Sequence, residues 1–278
     1  MNMLPDGGGT LPSLSHEFSP GDITMDLTMC GLLVDRAEEL VQLYAEYTNW
    51  NEVKTIWFDE RRANRSTRGS AQKIHRVLTS RLKNAPTVLP NPKHLPAVLD
   101  DCTTSTAKAQ VLYPYLVADD PLVRYVVHEY IRRQNSEIPE PLDFSNGVLQ
   151  GILEQFEYAD GTSLEYADST IERWCVGFRS LMREIGVIEG QQSVIGQPPV
   201  VGDTSLLVAI GYSYEDGSDE WFTSPVGLQY LFQPPTRWEE LYDRIAKTDA
   251  WEFVELHSDL QLQPVTQPYS WINTEEAI

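Results

Sequence analysis

Basic side chains are concentrated in one short segment, and the chemistry they offer is anion binding. The segment Arg61–Lys83, RRANRSTRGSAQKIHRVLTSRLK, holds eight of the 21 basic residues and no Asp or Glu. The other 255 residues hold 13 basic and 41 acidic side chains, a formal charge of −28. Arginine predominates in the segment, and its planar guanidinium matches pairs of phosphate oxygens. We call Arg61–Lys83 the basic island and expect it to meet a polyanion or an acidic partner.

Most side chains of the basic island are candidate ligands for a phosphate backbone. The candidates are Arg61, Arg62, Arg65, Arg68, Lys73, Arg76 and Lys83. On a helix turning 100° per residue, the last three fall opposite the apolar positions. Arg81 falls with the apolar positions, so we expect a structural arginine or a buried ion pair there. No aromatic residue interrupts the island, so stacking of single-stranded bases is not predicted. One interpretation is a solvated face that acidic residues of neighbouring helices neutralise. The pattern favours the other, contact with the backbone of a duplex without sequence readout.

Signatures of catalysis and of metal binding are absent from the sequence. It has no HExxH, GxSxG or CxxC, and no GxGxxG after a predicted strand. Cys30, Cys102 and Cys175 are too far apart for a zinc knuckle, and we expect them to be small buried apolar residues. The sequence therefore predicts a non-enzymatic protein with no catalytic residue, no metal site and no cofactor.

Composition is typical of a cytoplasmic globular protein. The 278 residues, 41% of them hydrophobic, are enough for a sizeable core. No apolar run approaches the ~20 residues that span a bilayer, and no signal peptide opens the chain, so we expect no membrane partner. The formal charge is −20, with 15 Arg and only six Lys. A carboxylate excess with few lysines keeps a protein hydrated in concentrated salt, which predicts a halophilic source.

The hydrophobic periodicity predicts a mainly α fold in three parts. Residues 1–24, rich in Gly, Pro and Ser, are predicted to be a flexible leader. Residues 25–190 predict a helical bundle that forms the DNA-binding body. Residues 191–278 predict a smaller, acidic unit of mixed α and β structure. Within that unit, Trp251–Leu256 and Leu260–Val265 have the pattern of a β-hairpin.

The ends of individual helices are marked by capping signals. Ser169 with Glu172 and Thr236 with Glu239 have the spacing of capping boxes, and Gly186 lies where a C-terminal glycine belongs. The predicted helices are one or two in Met25–Trp57, one from about Ser70 after a loop at Arg61–Gly69, Thr104–Ala118 interrupted at Pro114, Pro121–Arg133 capped by Asp120, one from Ser145 to about Tyr158, one from Ser169 to Gly186, and one from Thr236 to Lys247.

Three helix patterns resemble those of the BrxA family of BREX bacteriophage-exclusion systems. They are RRANRSTRGSAQKIHRVLTSRL, DDPLVRYVVHEYIRR and STIERWCVGFRSLMREIGVI, and the match covers roughly residues 25–190. In that family a loop with Ser and Thr, here Ser66-Thr67, enters a helix that ends in Arg-Leu, here Arg81-Leu82. A later helix closes the helical body, and here it runs from Ser169-Thr170 to Ile188.

The resemblance implies a small, mainly helical accessory protein whose core is similar to that of the antitermination protein NusB. It implies binding to double-stranded DNA with little sequence preference, beside the system's ATPase, methyltransferase and phosphatase-like subunits. Two alternatives stay open: a scaffold whose basic island docks an acidic partner, and an RNA-binding antitermination-like factor. Since salt weakens phosphate contacts, we expect the protein to work by avidity, as a homo-oligomer or within a larger assembly.

Overall fold

The computed structural model describes most of the chain, and it is mainly helical, as the sequence predicts. The described residues are 14, 16–65, 67–134, 138, 140–214, 220–256 and 259–265. Most of the predicted leader, the island residue Ser66 and the chain after Val265 lie outside them.

The helices and strands follow one another with short connections. The helices are α1 (Val34–Tyr47), α2 (Trp50–Asp59), α3 (Arg68–Lys83), α4 (Leu95–Asp100), α5 (Ser105–Asp119), α6 (Pro121–Arg133), α7 (Asn146–Leu153), α8 (Asp168–Glu184), α9 (Asp203–Ser213), α10 (Glu220–Thr223), α11 (Val226–Tyr230) and α12 (Trp238–Ile245). The strands are β1 (Leu142–Asp143), β2 (Ile195–Gly196), β3 (Trp251–Leu256) and β4 (Asp259–Pro264). Single 3-10 turns form at Asp26–Thr28 and Pro235–Arg237.

Helix α5 lies at the centre of the body. Every residue from Ala109 to Val117 is buried, because α1, α3, α4, α6, α8 and α9 all pack against it. A helix that is apolar on all sides is stable only when it is surrounded in this way. The predicted interruption at Pro114 is wrong, since the helix continues through this residue to Asp119.

The helix ends agree with the capping signals in part. The Asp120 Oδ1 atom accepts hydrogen bonds from the backbone N–H groups of Leu122 and Val123, both at 3.1 Å, so the predicted cap of α6 is confirmed. Gly186 follows α8 with a φ of +82°, also as predicted. The two capping boxes are wrong, because neither α8 nor α12 has a side-chain cap at its start.

The C-terminal part of the chain packs onto the helical body. Helix α9 is buried against α5, α11 and α12. The predicted hairpin is confirmed as β3 and β4, which pair antiparallel with Trp251 opposite Pro264. Strands β1 and β2, which the sequence analysis missed, pair Leu142 with Gly196 and fasten the segment after α8 to the body.

Part of the predicted leader belongs to the packed body. Phe18 and Ile23 are only 4% and 6% exposed. The Phe18 ring stacks on Phe156 with centroids 6.1 Å apart, and the Phe18 carbonyl accepts the Ala159 N–H at 2.8 Å. The flexible leader therefore needs correction, since the ordered packing begins before Met25. One continuous hydrophobic cluster extends from Phe18 to Leu262.

Candidate nucleic-acid interface

The basic island forms a loop after α2 and then α3. Thr67 caps the helix, since its side-chain oxygen accepts the N–H of Ser70 at 3.3 Å. Helix α3 therefore begins at Arg68, two residues before the predicted start near Ser70. The N-terminus of a helix favours an anion through its dipole and its free N–H groups.

Three arginines in the loop before α3 and in its first turn have no acidic partner. Arg61, Arg65 and Arg68 are exposed, and none of them makes an ion pair with another described residue. The loop that carries Arg61 and Arg65 is held by the buried side chain of Ala63 and by the Asn64 N–H, which donates to the Arg61 carbonyl at 2.9 Å. We call these three side chains the arginine cluster.

Three other side chains that the sequence predicts to contact DNA lie beside carboxylates. The Arg62 Nε donates to a Glu60 carboxylate oxygen at 2.7 Å. Asp26 accepts both Lys73 at 3.1 Å and Arg76 at 2.8 Å. Phosphates would compete with these carboxylates for three of the seven predicted cations.

Lys83 and an aromatic pair lie at the far end of α3. The Lys83 ammonium lies 5.4 Å from the centre of the Trp50 ring. That ring stacks on Tyr44 with centroids 4.1 Å apart. The sequence analysis missed this pair because Trp50 and Tyr44 precede the island and reach it only through the packing of α1 and α2.

Arg81 is structural, as its position among the apolar residues predicts. Its side chain is buried and donates to the carbonyls of Gly31 at 2.6 Å and Cys30 at 3.0 Å. Burial lowers its pKa, while the nearby Asp120 carboxylate opposes that shift. The pKa of Asp120 is raised to about 6, again mainly by burial.

His75 lies on the buried side of α3 and adds no positive charge at neutral pH. It packs edge-on against Trp57 and beside Phe58, with ring centroids 6.0 and 5.4 Å away. Burial lowers its pKa to about 4, and the positive charges of Lys54 and Lys83 act in the same direction.

An acidic cavity of about 510 Å³ bounds the candidate interface on the side of Asp26. Its charged lining is Glu17, Asp22, Asp26, Arg76, Arg81, Asp119, Asp120 and Arg124. Because the carboxylates outnumber the arginines, this side repels phosphate.

The remaining candidates for chemistry do not form a site. Cys30, Cys102 and Cys175 are free and buried, as predicted. Within the described part of the chain, no group of three or more His, Cys, Asp or Glu side chains is placed to hold a metal ion. Among the helices that the structure describes, none has the length and apolar character needed to cross a membrane.

Comparisons with known proteins identify no relative. Protein-family models, curated proteins and solved structures all give no match to this chain. The resemblance of its helix patterns to the BrxA family therefore stays a prediction from the sequence.

Proposed function

We propose that this chain is a non-enzymatic protein that binds the phosphate backbone of double-stranded DNA with little sequence specificity. The arginine cluster is the observation that carries the proposal. Three exposed arginines without carboxylate partners lie in the loop before α3 and in its first turn, in a chain whose formal charge is −20. Such a concentration of like charge is stabilised by a polyanion, and arginine suits phosphate oxygens in pairs.

The resemblance in sequence extends the proposal to a biological setting. We propose that the chain serves as an accessory subunit of a BREX-type phage-exclusion system, beside its ATPase, methyltransferase and phosphatase-like subunits. What supports this setting is the set of three helix patterns in residues 25–190, which form α3, α6 and α8.

Binding to a labelled random-sequence duplex tests the proposal directly. We expect Arg61→Ala/Arg65→Ala/Arg68→Ala to weaken binding at low salt about tenfold or more, equally for unrelated sequences. A matched control removes three cations elsewhere: Arg173→Ala/Arg237→Ala/Lys247→Ala. The control should change the affinity much less, because it alters the net charge equally but leaves the arginine cluster intact. Fluorescence anisotropy measures both, with circular dichroism as the check on folding.

Two other results would replace the proposal. If no duplex binds at any salt, and an acidic protein co-purifies with the parent but not with the cluster variant, the island docks a protein partner. If an RNA duplex competes better than DNA of the same length, the chain is an RNA-binding factor. Equal DNA affinity of the cluster variant and the parent would place the DNA site elsewhere.

A further inference from the structure

Three side chains form layers beside the C-terminal end of α3. The planes of the Trp50 and Tyr44 rings are 20° apart, and their centroids are 4.1 Å apart. Because Tyr44 occupies one face of the indole, the Lys83 ammonium at 5.4 Å approaches the other face. Lys83 is exposed and makes no ion pair with a described residue. Trp50 itself is half-buried, and Lys83 is the cation that the structure places over its ring.

This arrangement has the parts of a site for an unpaired base. An aromatic face accepts any base by stacking, and a neighbouring cation meets the phosphate of the same strand. Tyr44 behind the indole fixes the plane of the ring before a ligand arrives. Rotation of Lys83 would exchange an exposed cation–π contact, which is weak, for a base stack and a lysine–phosphate contact.

Charged side chains of both signs lie on the helices that carry Tyr44, Trp50 and Lys83. Lys54 and Lys83 are both near enough to His75 to lower its pKa. In α1, a hydrogen bond from Tyr47 to Glu46 and the negative charge of Glu46 raise the pKa of Tyr47. Lys54 and Lys83 attract phosphate, whereas Glu46 repels it.

We propose that Trp50 is a stacking platform for an unpaired base, so that duplex DNA with a single-stranded end is the preferred ligand. This inference rests on the proposed function. From Arg68 to Lys83, α3 spans about 22 Å at ~1.5 Å per residue, the length of about six base pairs. The arginine cluster would grip the duplex while its open end reaches Trp50.

A comparison of two DNA ligands tests the platform. One is a blunt random-sequence duplex, and the other is the same duplex with a short single-stranded extension on either strand. We expect the parent to bind the extended duplex about tenfold more tightly. Trp50→Leu should lose this preference and keep its affinity for the blunt duplex, whereas Trp50→Phe should restore much of it. Tyr166→Leu, which removes an aromatic ring that is 40% exposed elsewhere, is the control and should keep the preference.

A crosslinking measurement applies even if Trp50→Leu fails to fold. With 5-iodouracil in the extension, irradiation of the parent complex should attach the DNA to the peptide that contains Trp50, as mapped by mass spectrometry. Attachment to other peptides only, or equal affinity of the parent for the two duplexes, would overturn the platform while leaving the proposed function intact. If neither duplex binds, the proposed function itself fails.

Discussion

At the scale of single residues, Asp26 is the carboxylate that most limits the proposed interface. Its side chain is 16% exposed and pairs with both Lys73 and Arg76. A DNA phosphate must displace this carboxylate before it can contact either cation. Arg76 is 63% exposed, and an ion pair with a partner so open to solvent is weak, so a polyanion can compete with Asp26 for this cation.

Releasing these two cations should strengthen DNA binding. We expect Asp26→Asn to tighten binding of a random-sequence duplex and to steepen the log–log salt dependence by about one to two. Asp249→Asn, which makes the same charge change in the turn before β3, is the control and should have a smaller effect. Anisotropy titrations across a salt series measure both. An unchanged salt dependence in Asp26→Asn would place Lys73 and Arg76 outside the interface.

His75 should make the protein less stable in mild acid. Its folded-state pKa of about 4 is below the ordinary value of 6.5, so the unfolded chain takes up a proton first as the pH falls. The contribution of His75 to the free energy of unfolding is complete above pH 6.5 and is lost as the pH falls from 6.5 to about 4. His75→Phe keeps an aromatic ring against Trp57 and Phe58 but removes the group that takes up the proton. The variant should therefore lose less stability than the parent between about pH 7 and pH 5. Urea unfolding at the two pH values checks this, and equal losses would contradict the assignment.

The sequence predicts some members of the candidate site and misses others for a physical reason. Helical spacing alone places Arg81 in the core, because burial follows the 100° turn per residue. The sequence analysis did not predict the ion pair of Arg62 with Glu60, although Glu60 directly precedes the island. Asp26 and Trp50 reach α3 only through long-range packing, so no local pattern reveals them.

At the scale of elements, the contact between α8 and the 3-10 turn Asp26–Thr28 positions Asp26. Gly177 of α8 allows this close approach: a Cβ atom there would lie 2.4 Å from the Leu27 carbonyl oxygen. Real Cβ atoms essentially never come so near, so the turn must shift if Gly177 is replaced. Glycine is required here for close packing and not for its backbone angles.

Replacing this glycine should destabilise the fold. We expect Gly177→Ala to lower the free energy of unfolding by about 1–3 kcal/mol through overpacking. Gly151→Ala in α7 is the matched control, since a Cβ there meets no atom within 4 Å. Its free energy of unfolding should rise by about 0.5–1 kcal/mol, because alanine favours a helix interior. Chemical denaturation compares the two variants. Equal changes in the free energy of unfolding would show that the turn Asp26–Thr28 can shift at little energetic cost.

Element prediction succeeds where local chemistry decides and fails where packing decides. Asp120 followed by Pro121 starts α6 because the cap and the fixed proline angle act locally. Pro114 does not stop α5, because packing on all sides of this helix outweighs the lost hydrogen bond. The short β1–β2 pair joins residues more than fifty positions apart, which no periodicity indicates.

At the scale of the whole molecule, the net charge opposes the proposed function and sets its conditions. A chain with a formal charge of −20 repels DNA at long range, so binding depends on the few cations that meet phosphates directly. If the arginine cluster and Lys83 each contact one phosphate, the log–log salt dependence is about −3.6. Binding by one copy therefore falls steeply with salt, and we expect several copies or a larger assembly to hold the DNA together.

The salt dependence of duplex binding tests the central claim most directly. We expect a log–log slope of about −3.6 for the parent and about −0.9 for Arg61→Ala/Arg65→Ala/Arg68→Ala, since three phosphate contacts are lost. The control Arg173→Ala/Arg237→Ala/Lys247→Ala should keep the slope of the parent. The same slope in the parent and in the arginine-cluster variant would contradict the account, because those guanidinium groups would then not be the ones that meet DNA.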